Sequence, residues 1–290
     1  MKKKISILGS TGSIGLSTLK IIDKKKIFFK VVLLSANKNY LQICKQIKKY
    51  KPIYFVISDL NIFIKVKKKF INSNTKIINN FELKKLEKNQ IIVSAIPGIA
   101  GLKPTISMIK FSKKMLIANK ESVICGWDLI KRKALRFKTK IIPVDSEHFS
   151  IFNLLKTNNI NQIQKIYLTA SGGPFLNYKI NQLNKVTPKD ALRHPKWKMG
   201  KKITIDSSTL MNKILELVEA QKLFNLPKDK LEIIIHPESL VHAIIKLHNG
   251  LSKLIYHQTS MQIPLANAIF DENININDFY REEKKIKKKK

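Results

Sequence analysis

Through residue 142 the chain alternates between two kinds of segment, and this alternation restricts its fold more than any other feature. Short apolar runs rich in isoleucine, valine and leucine stand at 5–8, 31–34, 54–57, 76–78, 91–93, 115–117 and 141–142. Between most of them lie stretches with helical apolar spacing, at 14–23, 40–50, 62–70, 103–111 and 123–137. Strands too apolar to face water, interleaved with helices, predict a parallel sheet covered on both faces. The pattern changes after Asp145. Polar, loop-rich stretches include Ser171-Gly172-Gly173-Pro174 and residues 193–202, and one long helix is expected at 209–224. Strand-like runs follow at 231–235, 241–247 and 251–256, so this part reads as a second, α+β domain. Residues 273–290 are polar and end in lysines, which reads as a frayed tail.

Composition narrows the class. Hydrophobic residues make up 44% of the 290, enough for a sizeable core, so general disorder is excluded. The two cysteines, Cys44 and Cys125, cannot form a disulfide framework. No apolar run approaches the roughly 18–20 residues that cross a bilayer. The apolar stretch after Lys2-Lys3-Lys4 breaks at Gly9, too early for a signal peptide. A cytoplasmic setting without membrane partners is expected. The net charge of +35 comes from 55 basic residues, of which only Arg132, Arg136, Arg193 and Arg281 are arginines. Nucleic-acid sites draw on arginine for its bidentate fork. Lysine, isoleucine and asparagine are inflated along the whole chain, as an AT-rich coding sequence produces. The charge therefore reads as a solvated lysine surface, not a nucleic-acid face, with some attraction for phosphorylated substrates.

Several motifs carry chemistry. Gly9-Ser10-Thr11-Gly12-Ser13-Ile14-Gly15 lies between the first strand and first helix, where a dinucleotide pyrophosphate sits on a helix N-terminus in a doubly wound fold. Its GxxGxxG spacing is also compatible with a plain tight turn. The ribose-side segment after the second strand, Ala36-Asn37-Lys38-Asn39, has no acid to bind a 2′-hydroxyl; a lysine and two amides suit the 2′-phosphate of NADP, with a plain surface lysine as the alternative reading of Lys38. Pro143-Val144-Asp145-Ser146-Glu147-His148 follows a strand at the domain junction. On an extended backbone Asp145 and Glu147 face the same way, and paired carboxylates call for a shared cation. Asn212, Lys213 and Glu216 lie on the long helix, with Asn212 and Glu216 on one face, so a third ligand is available there. Ser207-Ser208 read as caps of that helix or as phosphate donors, and Ser171-Gly172-Gly173 is a second loop suited to phosphate. His194-Pro195-Lys196-Trp197-Lys198-Met199-Gly200 has the makings of a lid, or of a basic surface loop. His236 and His242, near strand ends, read as structural.

In this order the motifs resemble the 1-deoxy-D-xylulose 5-phosphate reductoisomerase family, over nearly the whole chain. The matching segments are 9–15, Ala118-Asn119-Lys120-Glu121-Ser122, 143–148, 168–175, 193–200, 206–216 and 236–242. The resemblance implies a doubly wound parallel-sheet, Rossmann-like NADPH-binding domain (1–144), an α+β catalytic domain (145–275) and a lysine-rich tail (276–290). It implies that Thr11, Gly12, Ser13, Ile14, Asn37, Lys38, Asn39, Asn119, Glu121 and Gly200 contact NADPH. Asp145, Glu147 and Glu216 would bind Mg²⁺ or Mn²⁺. Lys120, Ser146, Glu147, Ser171, His194, Ser207, Asn212, Lys213 and Glu216 would hold the phosphorylated ketose, with Lys120 and the three acids catalytic. Trp197 and Met199 would be lid residues, with Met261 near the mouth. The implied reaction is isomerisation of 1-deoxy-D-xylulose 5-phosphate and its reduction to 2-C-methyl-D-erythritol 4-phosphate, in a homodimer joined through the second domain's sheet. Family members continue as a C-terminal helical domain, which this chain is expected to lack. A non-catalytic NADP-binding remnant is therefore the competing expectation, and the intact set of acids speaks against it.

Overall fold

The structure is a computed structural model and describes residues 2–83, 85–197 and 200–280. Met199 and the lysines at 284–290 lie outside the described residues. Seven parallel strands form the first sheet: β1 (Lys3–Leu8), β2 (Phe29–Ala36), β3 (Tyr54–Ile57), β4 (Lys76–Ile78), β5 (Asn89–Ser94), β6 (Ser112–Ile117) and β7 (Lys140–Pro143). Their order is β4-β3-β2-β1-β5-β6-β7. Successive strands β1 to β4 run outward to one side and β5 to β7 to the other, so the order reverses between β1 and β5. Ligands bind beyond the strand C-termini at such a switch point.

Both faces of this sheet are covered, as its unbroken apolar strands require. On one face α1 (Ser13–Lys24), α2 (Tyr40–Tyr50) and α3 (Leu60–Lys69) bury Leu19, Ile43, Ile47 and Val66 against Ile5, Ile7 and Phe55. On the other, α4 (Leu102–Met108) and α5 (Lys120–Arg136) bury Met108, Val123 and Ile130 against Leu8, Ile92 and Ile117.

The second layer set begins with α6 (Ser146–Lys156), continues through β8 (Ile163–Ala170) and two single-turn helices, α7 (Ile180–Leu183) and α8 (Pro188–Ala191), and reaches α9 (Lys201–Ser208) and α10 (Met211–Phe224). It closes with β9 (Leu231–Ile235), β10 (Val241–Leu247) and β11 (Ser252–Tyr256) in a sheet of order β11-β10-β8-β9, in which β8 and β9 are parallel and β10 is antiparallel to both its neighbours. Ile151 and Leu154 of α6 and Ala220 of α10 pack on Ile166, Leu168, Ala243 and Ile245.

Several local expectations change. Asp145 and Glu147 do not lie on extended backbone: Asp145 is the N-cap of α6, its Oδ1 accepting from Glu147 N at 3.2 Å, and Glu147 lies in the helix's first turn. The expected helix at 209–224 is α10 (Met211–Phe224), and a separate helix, α9, precedes it. Ser207 and Ser208 end α9 and do not cap α10, whose N-cap position is Leu210 in the left-handed region (φ 60°) with no side-chain bond. Part of the stretch expected to fray is ordered, through Tyr280. After β11 the chain returns to the first sheet, where α11 (Gln262–Phe270) buries Leu265, Ala266 and Ile269 in the core around β1. Lys114 holds that helix's C-terminal end, donating to Ala268 O at 2.6 Å beside Asp271 at 2.9 Å. Residues Ile276–Asp278 make a 3-10 turn, Phe279 is buried against Phe270, and Lys24 Nζ donates to Phe279 O at 2.8 Å. A polar stretch with one well-placed aromatic is enough to dock once a complementary groove exists. No helix of the described residues is long and apolar enough to cross a membrane.

Candidate active site

A cavity of about 740 Å³ opens at the strand C-termini and runs between the two sheets. One end is built from backbone. Gly9 has φ +83°, and a Cβ there would lie 2.6 Å from Ala95 O; a Cβ on Gly15 would lie 2.3 Å from Gly9 O. Only glycine lets strand β1 turn this tightly into α1. No side chain caps α1, whose N-cap is Gly12, so its N-terminus faces the cavity at Ser13 and Ile14 with dipole and N–H groups available to an anion. Asn37, Lys38 and Asn39 stand exposed just past β2, and Asn39 caps α2 by accepting from Gln42 N at 3.2 Å.

The other end is built from buried charge. Asp145, Glu147 and Glu216 place carboxylate oxygens within 4.8 Å of one another. Between them lie two buried ammonium groups. Lys120 Nζ donates to Asn212 Oδ1 at 2.7 Å and Glu216 Oε1 at 3.0 Å, with Asp145 Oδ2 at 3.7 Å. Lys213 Nζ lies 2.9 Å from Glu147 Oε1 and 2.5 Å from Glu216 Oε2. Burial pushes both ammonium groups down, but the surrounding carboxylates outweigh it and hold them above their ordinary values. Burial likewise pushes Glu216 up, and Lys120 and Lys213 reverse it, so Glu216 stays ionised below the usual carboxylate range. All the anionic donors are oxygens from two elements, a set that fits a hard divalent cation such as Mg²⁺ or Mn²⁺.

Behind the acids sits His148, fully buried. Its Nε2 donates to Glu216 O at 2.8 Å, and its Nδ1 lies 3.3 Å from Asp145 Oδ1 and 3.6 Å from Glu219 Oε2. Burial pushes the imidazole down, yet Glu219 and Asp145 raise it to about 9. Sequence motifs alone give His148 no role and do not single out Glu219. The signal was present: Glu219 is one helical turn from Glu216 and shares its face.

The third wall is the loop before α9. Ser171 Oγ lies 3.0 Å from His194 Nε2, and His194 Nδ1 accepts from Trp197 N at 2.9 Å. With Nδ1 an acceptor, Nε2 carries the proton, and burial pushes this histidine down, so it is a neutral donor. Ser146, Ser207, Gly200, Trp197 and Met261 also border the cavity. Of the residues expected at the cofactor, Asn119 and Glu121 are otherwise engaged. Asn119 caps α5, accepting from Ser122 N at 2.6 Å, and donates to Ile96 O and Gly98 O, fixing the loop after β5. Glu121 pairs with Lys202 Nζ at 2.9 Å, tying α5 to α9. His236 lies off the cavity, whereas His242 lines it.

Comparison with known proteins agrees with this arrangement. The family model described as 1-deoxy-D-xylulose 5-phosphate reductoisomerase matches residues 5–126, and that of its C-terminal domain matches residues 141–224. The 1-deoxy-D-xylulose 5-phosphate reductoisomerase of Pelagibacter ubique (strain HTCC1062) is 52% identical over 273 residues, covering 92% of this chain and 70% of that protein. A crystal structure of DOX-P reductoisomerase in complex with NADPH, fosmidomycin and magnesium superposes with TM-score 0.87 at 33% identity, over 94% of this chain and 71% of the other. The Zymomonas mobilis enzyme in complex with NADPH gives TM-score 0.82 at 32% identity, over 93% and 70%. With 52% identity over 273 residues and family models that match residues 5–126 and 141–224, the chain belongs to the 1-deoxy-D-xylulose 5-phosphate reductoisomerase family.

Proposed function

We propose a division of labour by which this chain isomerises 1-deoxy-D-xylulose 5-phosphate and reduces it to 2-C-methyl-D-erythritol 4-phosphate, the NADPH- and metal-dependent step of non-mevalonate isoprenoid synthesis. One observation carries the assignment of roles: the same cavity is bordered by the uncapped N-terminus of α1 and by Asp145, Glu147 and Glu216. A hydride donor and a metal-held substrate are thereby brought to one place.

Thr11, Gly12, Ser13 and Ile14 cradle the pyrophosphate, and Asn37, Lys38 and Asn39 take the 2′-phosphate. Asn119, Glu121 and Gly200 shape the nicotinamide side by holding the loop after β5 and the start of α9. Asp145, Glu147 and Glu216 hold Mg²⁺ or Mn²⁺. When bound, the metal supplies Lewis-acid polarisation of the substrate's oxygens, and NADPH supplies the hydride. Lys120 Nζ, already aimed at Glu216 and Asn212, donates to the oxygen on which negative charge develops. Ser171 Oγ, His194 Nε2–H, Ser207, Asn212 and Lys213 take the phosphate, whose binding energy holds the rearranging fragment in place. Ser146 Oγ orients Glu147 by donating to its Oε2 at 2.5 Å. Trp197 closes over the cavity and excludes water.

The second sheet's face away from α6 and α10 presents a cross-strand row of Tyr167, Ile244 and Leu254. This row supports a homodimer through that sheet, measurable by sedimentation. Free cysteines at Cys44 and Cys125 suit the reducing cytoplasm. NADPH oxidation by the purified chain with substrate and Mn²⁺, abolished by a chelator, is the expected result. NADPH binding with no consumption would replace this reading with a non-catalytic NADP-binding protein.

A further inference from the structure

Three rings form a column from the lid loop into the second sheet. Trp197 meets His242 edge-on, with centroids 5.9 Å apart and planes at 68°. His242 in turn stacks on His257, with centroids 3.7 Å apart and planes at 21°. The backbone explains how two residues fifteen apart come to stack. Register between β10 and β11 slips between Val241 and Ala243, so His242 is the extra residue of a β-bulge, and bulges re-aim a side chain. Here the bulge sends a buried imidazole, 1% exposed, to the cavity wall. His257 follows directly on β11, pinned by its N–H to Leu240 O at 2.9 Å.

Hydrogen bonds set both tautomers. His242 Nε2 lies 3.1 Å from His257 O, a carbonyl, so Nε2 donates and Nδ1 is the acceptor. His257 Nδ1 lies 2.8 Å from Gln258 O and donates there. Both rings are held neutral by burial, His257 down to about 4, which removes the repulsion that two imidazolium rings at this distance would suffer. One residue thus fixes His242 twice, by its carbonyl and by its ring.

We propose that His257 is a positioning residue: its ring is the back wall that holds His242 at the cavity, so that His242 is a rigid seat for Trp197 when the loop closes over the phosphorylated substrate. The proposal rests on the reading of the cavity as the ketose phosphate site. No group of His257 itself lines the cavity.

Two variants separate the ring from the hydrogen bond. His257→Asn keeps a side-chain N–H that can reach Gln258 O but has no ring to stack. His257→Phe keeps the ring and loses the N–H. Trp197 is one of two tryptophans, so in a Trp127→Phe background its acrylamide quenching reports the seat without requiring turnover. His257→Asn is expected to raise KM for 1-deoxy-D-xylulose 5-phosphate about three- to tenfold, the fold-change of one aromatic pair, with kcat within about twofold. It is also expected to make Trp197 more quenchable, while His257→Phe stays near wild type in both readouts and NADPH affinity is unchanged in either. Unchanged KM and quenching in His257→Asn would overturn the proposal, and so would His257→Phe as impaired as His257→Asn. Absence of turnover in the wild-type chain would fail the site reading instead, with the quenching comparison still deciding the role of the stack.

Discussion

The two ends of the cavity are built on opposite principles. At the end proposed for the cofactor the β1–α1 turn is built from backbone: glycines bring backbone against backbone, and the available donors are N–H groups whose positions the helix dictates. The side chains proposed there, Asn37, Lys38 and Asn39, follow β2 and are exposed to solvent. At the substrate end the functional atoms are side chains from α5, α6 and α10, and most are buried charges: Lys120 and Lys213 at 6% exposure and Glu216 at 2%. An exposed lysine at a phosphate loses little when its partner is absent. A buried carboxylate or ammonium loses a great deal, because water cannot replace the missing charge. The first end is therefore robust and local, and the second is held together by the balance of its own ions.

That contrast can be broken most sharply at Glu216. Glu216→Gln removes one of three anionic donors and a partner of both lysines, and should lower kcat by at least about 10²–10³-fold. NADPH affinity, measured by fluorescence titration, should stay within about twofold, since it depends on the other end. A variant with most of its activity would remove Glu216 from the metal set.

Lys120→Met tests the ion balance itself. Without a divalent cation it should destabilise the second domain by about 3–5 kcal/mol, because Glu216 and Asp145 lose their buried counter-charge. Saturating Mg²⁺ should recover part of this by binding the folded state alone, while turnover stays lost. Equal denaturation curves with and without Mg²⁺ would show that the ion does not enter this cluster.

A smaller effect belongs to the exposed end. Lys38→Ala should weaken NADPH by about 1.5–3 kcal/mol, roughly 10–150-fold, and NADH hardly at all. Equal losses for both cofactors would mean that Lys38 does not read the 2′-phosphate.

The smallest effect is in pH. His148 is raised to about 9, where burial is outweighed by Glu219 and Asp145, and burial raises Glu219 to about 7 despite His148. Both folded values lie above the unfolded ones, so the folded chain retains protons that the unfolded chain releases. The stability this pair contributes without metal is greatest in acid. It declines as pH rises through about 7 for Glu219 and about 9 for His148. His148→Gln should flatten the decline in denaturation midpoint over that range without altering NADPH binding, and an unchanged slope would assign the titration elsewhere.

How much was legible follows the same division. The strands at 54–57 and 76–78 and the helix at 40–50 match the structure because local apolar periodicity and turn residues decide them. The glycine turn was legible for the same reason. Helix α6 was not: its first turn, Ser146-Glu147-His148, is polar because it faces the site, and this hides the amphipathic pattern that would mark a helix. For that reason the pairing of Asp145 with Glu147 was ascribed to extended backbone although a helix N-terminus creates it. Helix α11 and Phe279 were illegible in another way. Nothing local says that a segment following the second sheet will seek a groove on the first, and only the open face beside α1 and Phe29 supplies the area.

From sequence alone, then, come the doubly wound first half, the tight glycine turn between β1 and α1 and the three acids that the fold gathers, since each depends on neighbours in the chain or on a motif's own residues. Tertiary structure alone decided that two lysines stand inside the acid cluster, that His148 and Glu219 back it, and that His242 is turned to the cavity by a bulge and stacked on His257. These are electrostatic and packing relations between residues distant in sequence. Their energies arise only when folding removes water from between them.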